Sequence, residues 1–154
     1  MITKQDLAAG IRFAGERAAT AGEYARDWDH QLGHQWTTGD ALRHVAASVG
    51  GLERVYPMLA NADVLSGLGI AQIGAMNAQS IAGMKEKSRE EVLAAIRDGS
   101  EASAKFAETL NDEDLATVVK LGGYEMPKGE IAAQIWIHHT IAHAYEASAR
   151  WPIQ

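Results

Sequence analysis

Residues 7–32 read LAAGIRFAGERAATAGEYARDWDHQL. The apolar side chains of this segment recur at alternating steps of four and three residues: Leu7, Ile11, Ala14, Ala18, Ala21, Ala25, Trp28 and Leu32. A 3.5-residue repeat of this kind is typical of an α-helix packed lengthwise against other helices. The pattern predicts a first helix over about residues 3–31.

Three later segments have the same helical periodicity. Thr37 and Asp40 form a box-like cap before a helix over about 38–59, and Ser88 and Glu91 form a capping box before a helix over about 89–110. The last helix is expected over about 129–149, and Trp151-Pro152, just after this range, stops it. Its predicted buried face consists of Ile131, Ile135, Ala142, Tyr145 and Ala149.

The connecting segments are short or rich in glycine. Between Asn61 and Lys87 the pattern indicates a loop that leads into a short extra helix near residues 70–85. The segments Gly122-Gly123 and Pro127-Lys128-Gly129 predict a surface loop, with a short extended piece over 117–120. Four long helices with mostly short connections predict an all-α protein, an antiparallel four-helix bundle that forms a single domain over residues 1–154.

Composition, charge and the length of apolar runs limit the classes of protein to which this sequence can belong. The 154 residues include 28 alanines and three prolines, which favour helix over sheet. The formal net charge is -6 and the basic residues form no cluster, so we expect no nucleic-acid partner. No apolar run approaches the roughly 20 residues that cross a bilayer, and the N-terminus has no apolar signal core, so we expect a cytoplasmic protein without a membrane partner.

The sequence contains no cysteine, and histidine and carboxylate are therefore its available metal ligands. His139 and His143 are one helical turn apart, so both imidazoles can point at one atom. His138 is 140° away from His143 at 100° per residue and cannot share that focus. Two adjacent buried imidazoles either bind a divalent cation or are satisfied by a backbone carbonyl and solvent.

His44 strengthens the metal hypothesis because it lies on the flank of the second helix, where it can face a neighbouring groove. Taken alone, a histidine at this position would more often be a half-exposed or hydrogen-bonded side chain. His30 is expected in solvent and His34 in a turn, so this second i,i+4 pair predicts no site.

Glu146 follows His143 by three residues and is our candidate catalytic side chain. It can reach a metal, orient an imidazole or take a proton. The alternative is a surface acid paired with Arg150. Trp36, Trp136 and Tyr145 either wall a pocket or belong to the core.

Several segments together resemble the DinB-like superfamily, and in particular the N-terminal domain of mycothiol-dependent maleylpyruvate isomerases. They are WTTGDALRHVAA at 36–47, Asn77, the helix that begins at Ser88, DEDL at 112–115 and HTIAH at 139–143. The resemblance covers almost the whole chain. It implies a four-helix bundle that binds one divalent metal through His44, His139 and His143. The isomerase branch typically has a carboxylate where His139 stands, so its substrate is not carried over.

The resemblance and the ligand chemistry lead to one main functional prediction. Three imidazoles leave a zinc ion with an open position, as in catalytic sites, and nickel or iron also suit imidazole. We expect a small-molecule substrate and a low-molecular-weight thiol co-substrate, activated for an S-transferase or isomerase reaction. A metal-dependent hydrolase is one alternative. The other is a non-catalytic homodimer, with a structural ion or none, that uses Gly15 and Gly22 of the first helix for close approach.

Overall fold

The structure is a computed structural model that describes residues 1–33, 35–61, 70–121 and 123–148. These residues are mostly helical, with one small antiparallel strand pair, so the predicted all-α class holds apart from that pair. Within the described ranges, no helix combines the length and apolar character needed to cross a membrane.

The first helix, α1, spans Lys4–Tyr24 and starts at a capping box. The Thr3 side chain accepts a hydrogen bond from the Asp6 backbone N–H, and the Asp6 carboxylate accepts one from the Thr3 backbone N–H. Its apolar stripe is buried as the 3.5-residue repeat predicts, with Leu7, Ile11, Ala14 and Ala18 fully enclosed.

The prediction that this helix extends to about residue 31 is wrong, because tertiary contacts end it at Tyr24. The Arg89 guanidinium donates to the carbonyl oxygens of Gly22, Glu23 and Ala25, which an ongoing helix would use for its own hydrogen bonds. The Trp28 indole N–H also donates to Gly22, and Ala25 is extended. Residues beyond Ala25 therefore fold back over the helix end.

The predicted second helix is present but interrupted. Helix α2 spans Thr38–Ser48 and has the predicted Thr37–Asp40 capping box. It is followed by a 3-10 turn over Val49–Gly51, by α3 over Leu52–Val55, and by a second 3-10 segment over Tyr56–Asn61. At the 3-10 turn, Gly50 lies against Gly99 of the helix that spans Arg89–Thr109. A Cβ added to Gly99 would lie 3.1 Å from the Gly50 backbone nitrogen, so the two backbones cross closely.

Two more of the predicted helices are confirmed. The short extra helix, α4, spans Ile70–Gly83. The long helix α5 spans Arg89–Thr109 and has the capping box between Ser88 and Glu91. The loop predicted ahead of α4 lies largely outside the described residues.

The segment after α5 forms a short helix and a hairpin. Helix α6 spans Asp112–Leu115, strand β1 spans Val118–Leu121, and strand β2 spans Tyr124–Pro127. The antiparallel register pairs Val118 with Pro127 and Leu121 with Tyr124. The extended piece is thus confirmed, whereas the predicted surface loop is wrong at Lys128 and Gly129, which are buried at the start of the next helix.

The last helical segment contains an irregular turn that changes its buried face. Helix α7 spans Lys128–Ala133, a π-helical turn spans Gln134–His138, and α8 spans His139–Ser148. Of the predicted buried face, Ile131 is buried, but Ile135, Ala142 and Tyr145 are exposed, so the prediction is wrong for these three; Ala149 lies outside the described residues. The wider π turn shifts the helix register, so that Trp136, five residues after Ile131, lies on the buried side.

The long helices enclose the core around α1. Helix α1 packs most extensively against α5 and α8, and α2 packs against both of the same helices. Gly15 and Gly22 lie inside this core against Ser100 and Leu93. They therefore serve packing within the chain and do not form the predicted dimer surface, while the homodimer itself stays a prediction.

A polar network links the start of α7 to α6 and to the end of α3 through Lys128, Asp114 and Tyr56. Lys128 is 8% exposed, and its Nζ lies 2.7 Å from Asp114 Oδ1. The Tyr56 hydroxyl donates to Asp114 Oδ2 at 2.8 Å. Both interactions lower the pKa of Asp114, the Lys128 contact more than the tyrosine.

We expect Asp114→Ala to destabilise the protein by about 2–3 kcal/mol, because it leaves the Lys128 ammonium buried without its counter-charge. The matched control is Glu125→Ala, which removes an exposed ion pair with Lys120 on the same hairpin and should cost less than about 0.5 kcal/mol. Urea unfolding of both variants measures the difference. Equal losses would show that the buried pair adds nothing beyond a surface pair.

Candidate metal centre

Three histidines from two elements meet in the interior. His44 lies in the middle of α2 and is 6% exposed. His139 is the first residue of α8, directly after the π turn, and His143 follows one turn later. The side chain of His143 is 12% exposed. Because α2 packs against α8, the three imidazoles face one another.

The Nε2 atoms of these histidines converge. His44 Nε2 lies 3.2 Å from His139 Nε2, and His143 Nε2 lies 3.1 Å from the same atom. Two nitrogens bound to a tetrahedral zinc ion at roughly 2.0–2.1 Å are about 3.3 Å apart. The observed spacings are close to that value. The predicted set His44, His139 and His143 could therefore hold one metal ion.

Proton counting also favours a cation. The carboxylate of Glu146 only accepts hydrogen bonds, so His143 Nδ1, 2.8 Å from Glu146 Oε2, carries a proton. A neutral His143 then presents a lone pair at Nε2. Without a metal, His139 Nε2 would therefore have to carry a proton and share it between the Nε2 lone pairs of His143 and His44. A cation instead accepts the lone pairs of all three histidines at once.

Burial keeps two of the ligands neutral. The pKa of His44 falls to about 4 because of desolvation first and the neighbouring imidazoles second. The pKa of His139 also falls to about 4, again mainly through desolvation, and Glu146 opposes that change. Neutral imidazoles at pH 7 have the free lone pairs that metal binding requires.

These pKa values predict acid sensitivity of the metal-free protein. The folded state of each histidine binds a proton only near pH 4, whereas the unfolded state binds one near pH 6.5. Stability from this source is therefore present above pH 6.5 and lost as the pH falls toward 4, by up to about 1.4 kcal/mol per pH unit for each histidine. Denaturant unfolding in chelator, at pH values from 7.5 to 4.5, measures this loss.

The variant His44→Gln should flatten that pH dependence, because one of the two titrating groups is gone. His138→Gln is the matched control, since His138 is exposed beside the cluster. If both variants keep the wild-type slope, the buried histidines are not its cause.

Glu146 holds His143 from the side opposite the cluster. Its carboxylate contacts Nδ1, while Nε2 of the same ring faces the other histidines. A carboxylate in this position fixes the tautomer and orientation of a ligating imidazole and raises its basicity. Of the three roles predicted for Glu146, this contact therefore supports the orienting role. The role in proton transfer stays a prediction.

We expect Glu146→Ala to weaken metal affinity by about 10–100-fold, the usual effect of losing such an outer partner. Competition titrations with a chromophoric zinc chelator give the affinity. Glu130→Ala, which removes one negative charge from α7, is the control and should leave the affinity unchanged. An unaltered affinity in Glu146→Ala would contradict the orienting role.

The aromatic residues proposed as pocket walls divide into three cases. The Trp36 ring lies 5.0 Å from the His44 ring and 5.8 Å from the His143 ring, centroid to centroid, so it covers one side of the cluster. Trp136 is 3% exposed and lies in the core beside the site. Tyr145 is 71% exposed, so its prediction as a wall is wrong; the shift of the buried face across the π turn accounts for this.

The other histidines stand apart from the cluster. His138 is exposed and does not join the cluster, in agreement with the prediction that it cannot share the focus of His143. His30 is half-buried rather than fully solvated, and its backbone carbonyl accepts from the Thr38 N–H. His34 lies outside the described residues, so the prediction for the His30–His34 pair is not addressed.

A cavity of about 420 Å³ borders the histidine cluster. It lies between α2, α4, the π turn and α8. Its walls include His44, Ser48, Val49, Ile73, Asn77, Gln134, Ile135, Trp136, His139 and Thr140. Sequence analysis did not identify Gln134 or Ile73, because a π turn and the docking of a short helix leave no periodic signal.

Comparison with known proteins yields no matching protein-family model and no curated protein of significant similarity. The chemistry of the histidine cluster and its cavity is therefore the basis for assigning a function.

Proposed function

We propose that this chain is a DinB-like antiparallel four-helix bundle that binds one divalent metal ion and activates a low-molecular-weight thiol. The four helices of the bundle would be α1, α2 with its extension, α5, and α7 joined to α8. Two features support this proposal. The ligand pattern matches the one that the resemblance implies, and the three Nε2 atoms lie close enough to bind a single ion.

The convergence of the Nε2 atoms carries the functional argument. Structural zinc sites are usually closed by four protein ligands, whereas three imidazoles are typical of a site that also takes water or substrate. Zinc is our first candidate, and nickel and iron also suit imidazole ligands. When bound, such an ion lowers the pKa of a coordinated thiol or water, which supplies a nucleophile at neutral pH.

The residues of this chain have separate tasks in that site. His44 and His139 border the cavity and would hold the ion at its edge. Glu146 fixes the ring of His143 through Nδ1, and Trp36 covers the cluster on one side, limiting access of water. Because the sequence has no cysteine, the thiol must come from a small molecule.

The test is an activity screen of zinc-, nickel- and iron-loaded protein with a panel of small thiols and electrophilic acceptors. We expect product only when both thiol and metal are present, and loss of turnover in His143→Ala. His138→Ala is the matched control and should retain activity. Turnover without thiol would favour the hydrolase, and metal binding without any reaction would favour a structural ion.

A further inference from the structure

The cavity beside the histidine cluster has walls without formal charge. Among the described residues, no Asp, Glu, Lys or Arg lines it. Its apolar surface comes from opposite sides, including Ile73 on α4 and Ile135 on the π turn. These walls offer no counter-charge to a charged group placed in the cavity.

Two carboxamides supply polar contacts on different walls. Asn77 lies one turn after Ile73 on α4, and Gln134 begins the π turn. A carboxamide offers both N–H donors and a carbonyl acceptor, so this pair is complementary to an amide group of a ligand. Charged ligand groups are usually recognised by Arg, Lys or carboxylates, which these walls lack.

The candidate metal ligands lie at one end of the cavity. His44 and His139 form that edge of the cavity, and Glu146 lies behind His143. A substrate that spans the cavity would therefore have its ionisable sulfur at the histidines and an uncharged remainder along α4 and the π turn.

We propose that the cavity binds the neutral end of the thiol substrate, an apolar chain that terminates in an amide group. This inference rests on the proposed function for the position of the sulfur. The complementarity of the walls to an uncharged amide stands on the lining residues alone. It excludes small thiols whose far end is a carboxylate or an ammonium group.

The first experiment compares thiols of similar chain length on cobalt-loaded protein. The probes are 4-mercaptobutanamide, 4-mercaptobutanoate and 1-pentanethiol, and the thiolate-to-cobalt absorption band reports binding. We expect the amide to bind about tenfold more tightly than the carboxylate, because the cavity cannot compensate the lost hydration of the charge. Equal or tighter binding of the carboxylate would overturn the proposal.

Variants in α4 test which side chains cause the preference for the amide over the carboxylate. Asn77→Leu should weaken binding of the amide about fivefold and leave 1-pentanethiol unaffected. Gln79→Leu is the matched control, because Gln79 is exposed on the same helix and does not line the cavity. Ile73→Lys should strengthen binding of the carboxylate about threefold by supplying a cation. The same response in Asn77→Leu and Gln79→Leu would overturn the assignment of Asn77.

An experiment on metal-free protein distinguishes failure of the inference about the cavity from failure of the proposed metal centre. Pentanamide and pentanoate have no thiol and need no metal, so NMR spectra of the chelator-treated protein report the cavity alone. We expect pentanamide, and not pentanoate, to shift the side-chain amide signals of Asn77 and Gln134. No shift with pentanamide overturns the inference about the cavity, whereas absence of cobalt uptake overturns the proposed metal centre.

Discussion

His139→Ala is expected to abolish stoichiometric metal binding. His139 Nε2 lies 3.2 Å from His44 Nε2 and 3.1 Å from His143 Nε2, so its removal leaves the remaining two imidazoles without this shared neighbour. The loss of affinity should exceed the roughly 10–100-fold that outer partners contribute. Chelator competition titrations with zinc, nickel and cobalt measure it.

The neighbouring residue provides the control for that experiment. His138→Ala removes an exposed imidazole from the preceding helical position and should keep wild-type affinity. Circular dichroism establishes that both variants are folded. If His138→Ala and His139→Ala lose metal equally, or neither does, the cluster of three histidines is not the binding site.

Gly15→Ala is expected to cause the largest loss of stability, about 3 kcal/mol. An added Cβ would overlap both Oγ and Cβ of Ser100, where α1 and α5 cross. Ser100 is 3% exposed and its hydroxyl donates to the Ile96 carbonyl at 2.7 Å, so its side chain cannot turn away without breaking that hydrogen bond. The clash outweighs the roughly 1 kcal/mol that alanine gains over glycine within a helix.

Two further variants distinguish this clash from a general effect of the substitution. Gly74→Ala places the same methyl group in α4, where no atom of the described residues outside the adjacent helix backbone lies within 4 Å, and should stabilise the protein by up to about 1 kcal/mol. Adding Ser100→Gly to Gly15→Ala should recover much of the lost stability, because it removes both clashing atoms. Denaturant unfolding gives all three values, and a Gly15→Ala variant as stable as the wild type would contradict the close helix crossing.

The helix starts could be predicted because they are encoded locally. Thr37 with Asp40, and Ser88 with Glu91, lie within one turn of each other and form the predicted caps. The end of α1 could not be predicted in this way, because Arg89 caps it from a position 64 residues after Ala25 in the chain. Contacts of this length depend on the fold and have no periodic pattern.

One half of the candidate site, the pair His139 and His143, was predictable for a similar local reason, whereas His44 lies on another helix, 95 residues before His139. His139 and His143 share one helix face, and their spacing alone indicates convergence. The surroundings of these histidines could not be predicted as well, since Tyr145 lies beyond the π turn and is exposed, and Gln134, the first residue of that turn, lines the cavity. A regular helix of 3.6 residues per turn cannot reproduce that arrangement.

X-ray absorption spectroscopy of the zinc-loaded, untagged protein tests the central claim most directly. We predict one zinc ion per chain, with three imidazole nitrogens at roughly 2.0–2.1 Å. A protein that retains no stoichiometric zinc, or a zinc spectrum without the scattering of three imidazoles, would contradict this prediction.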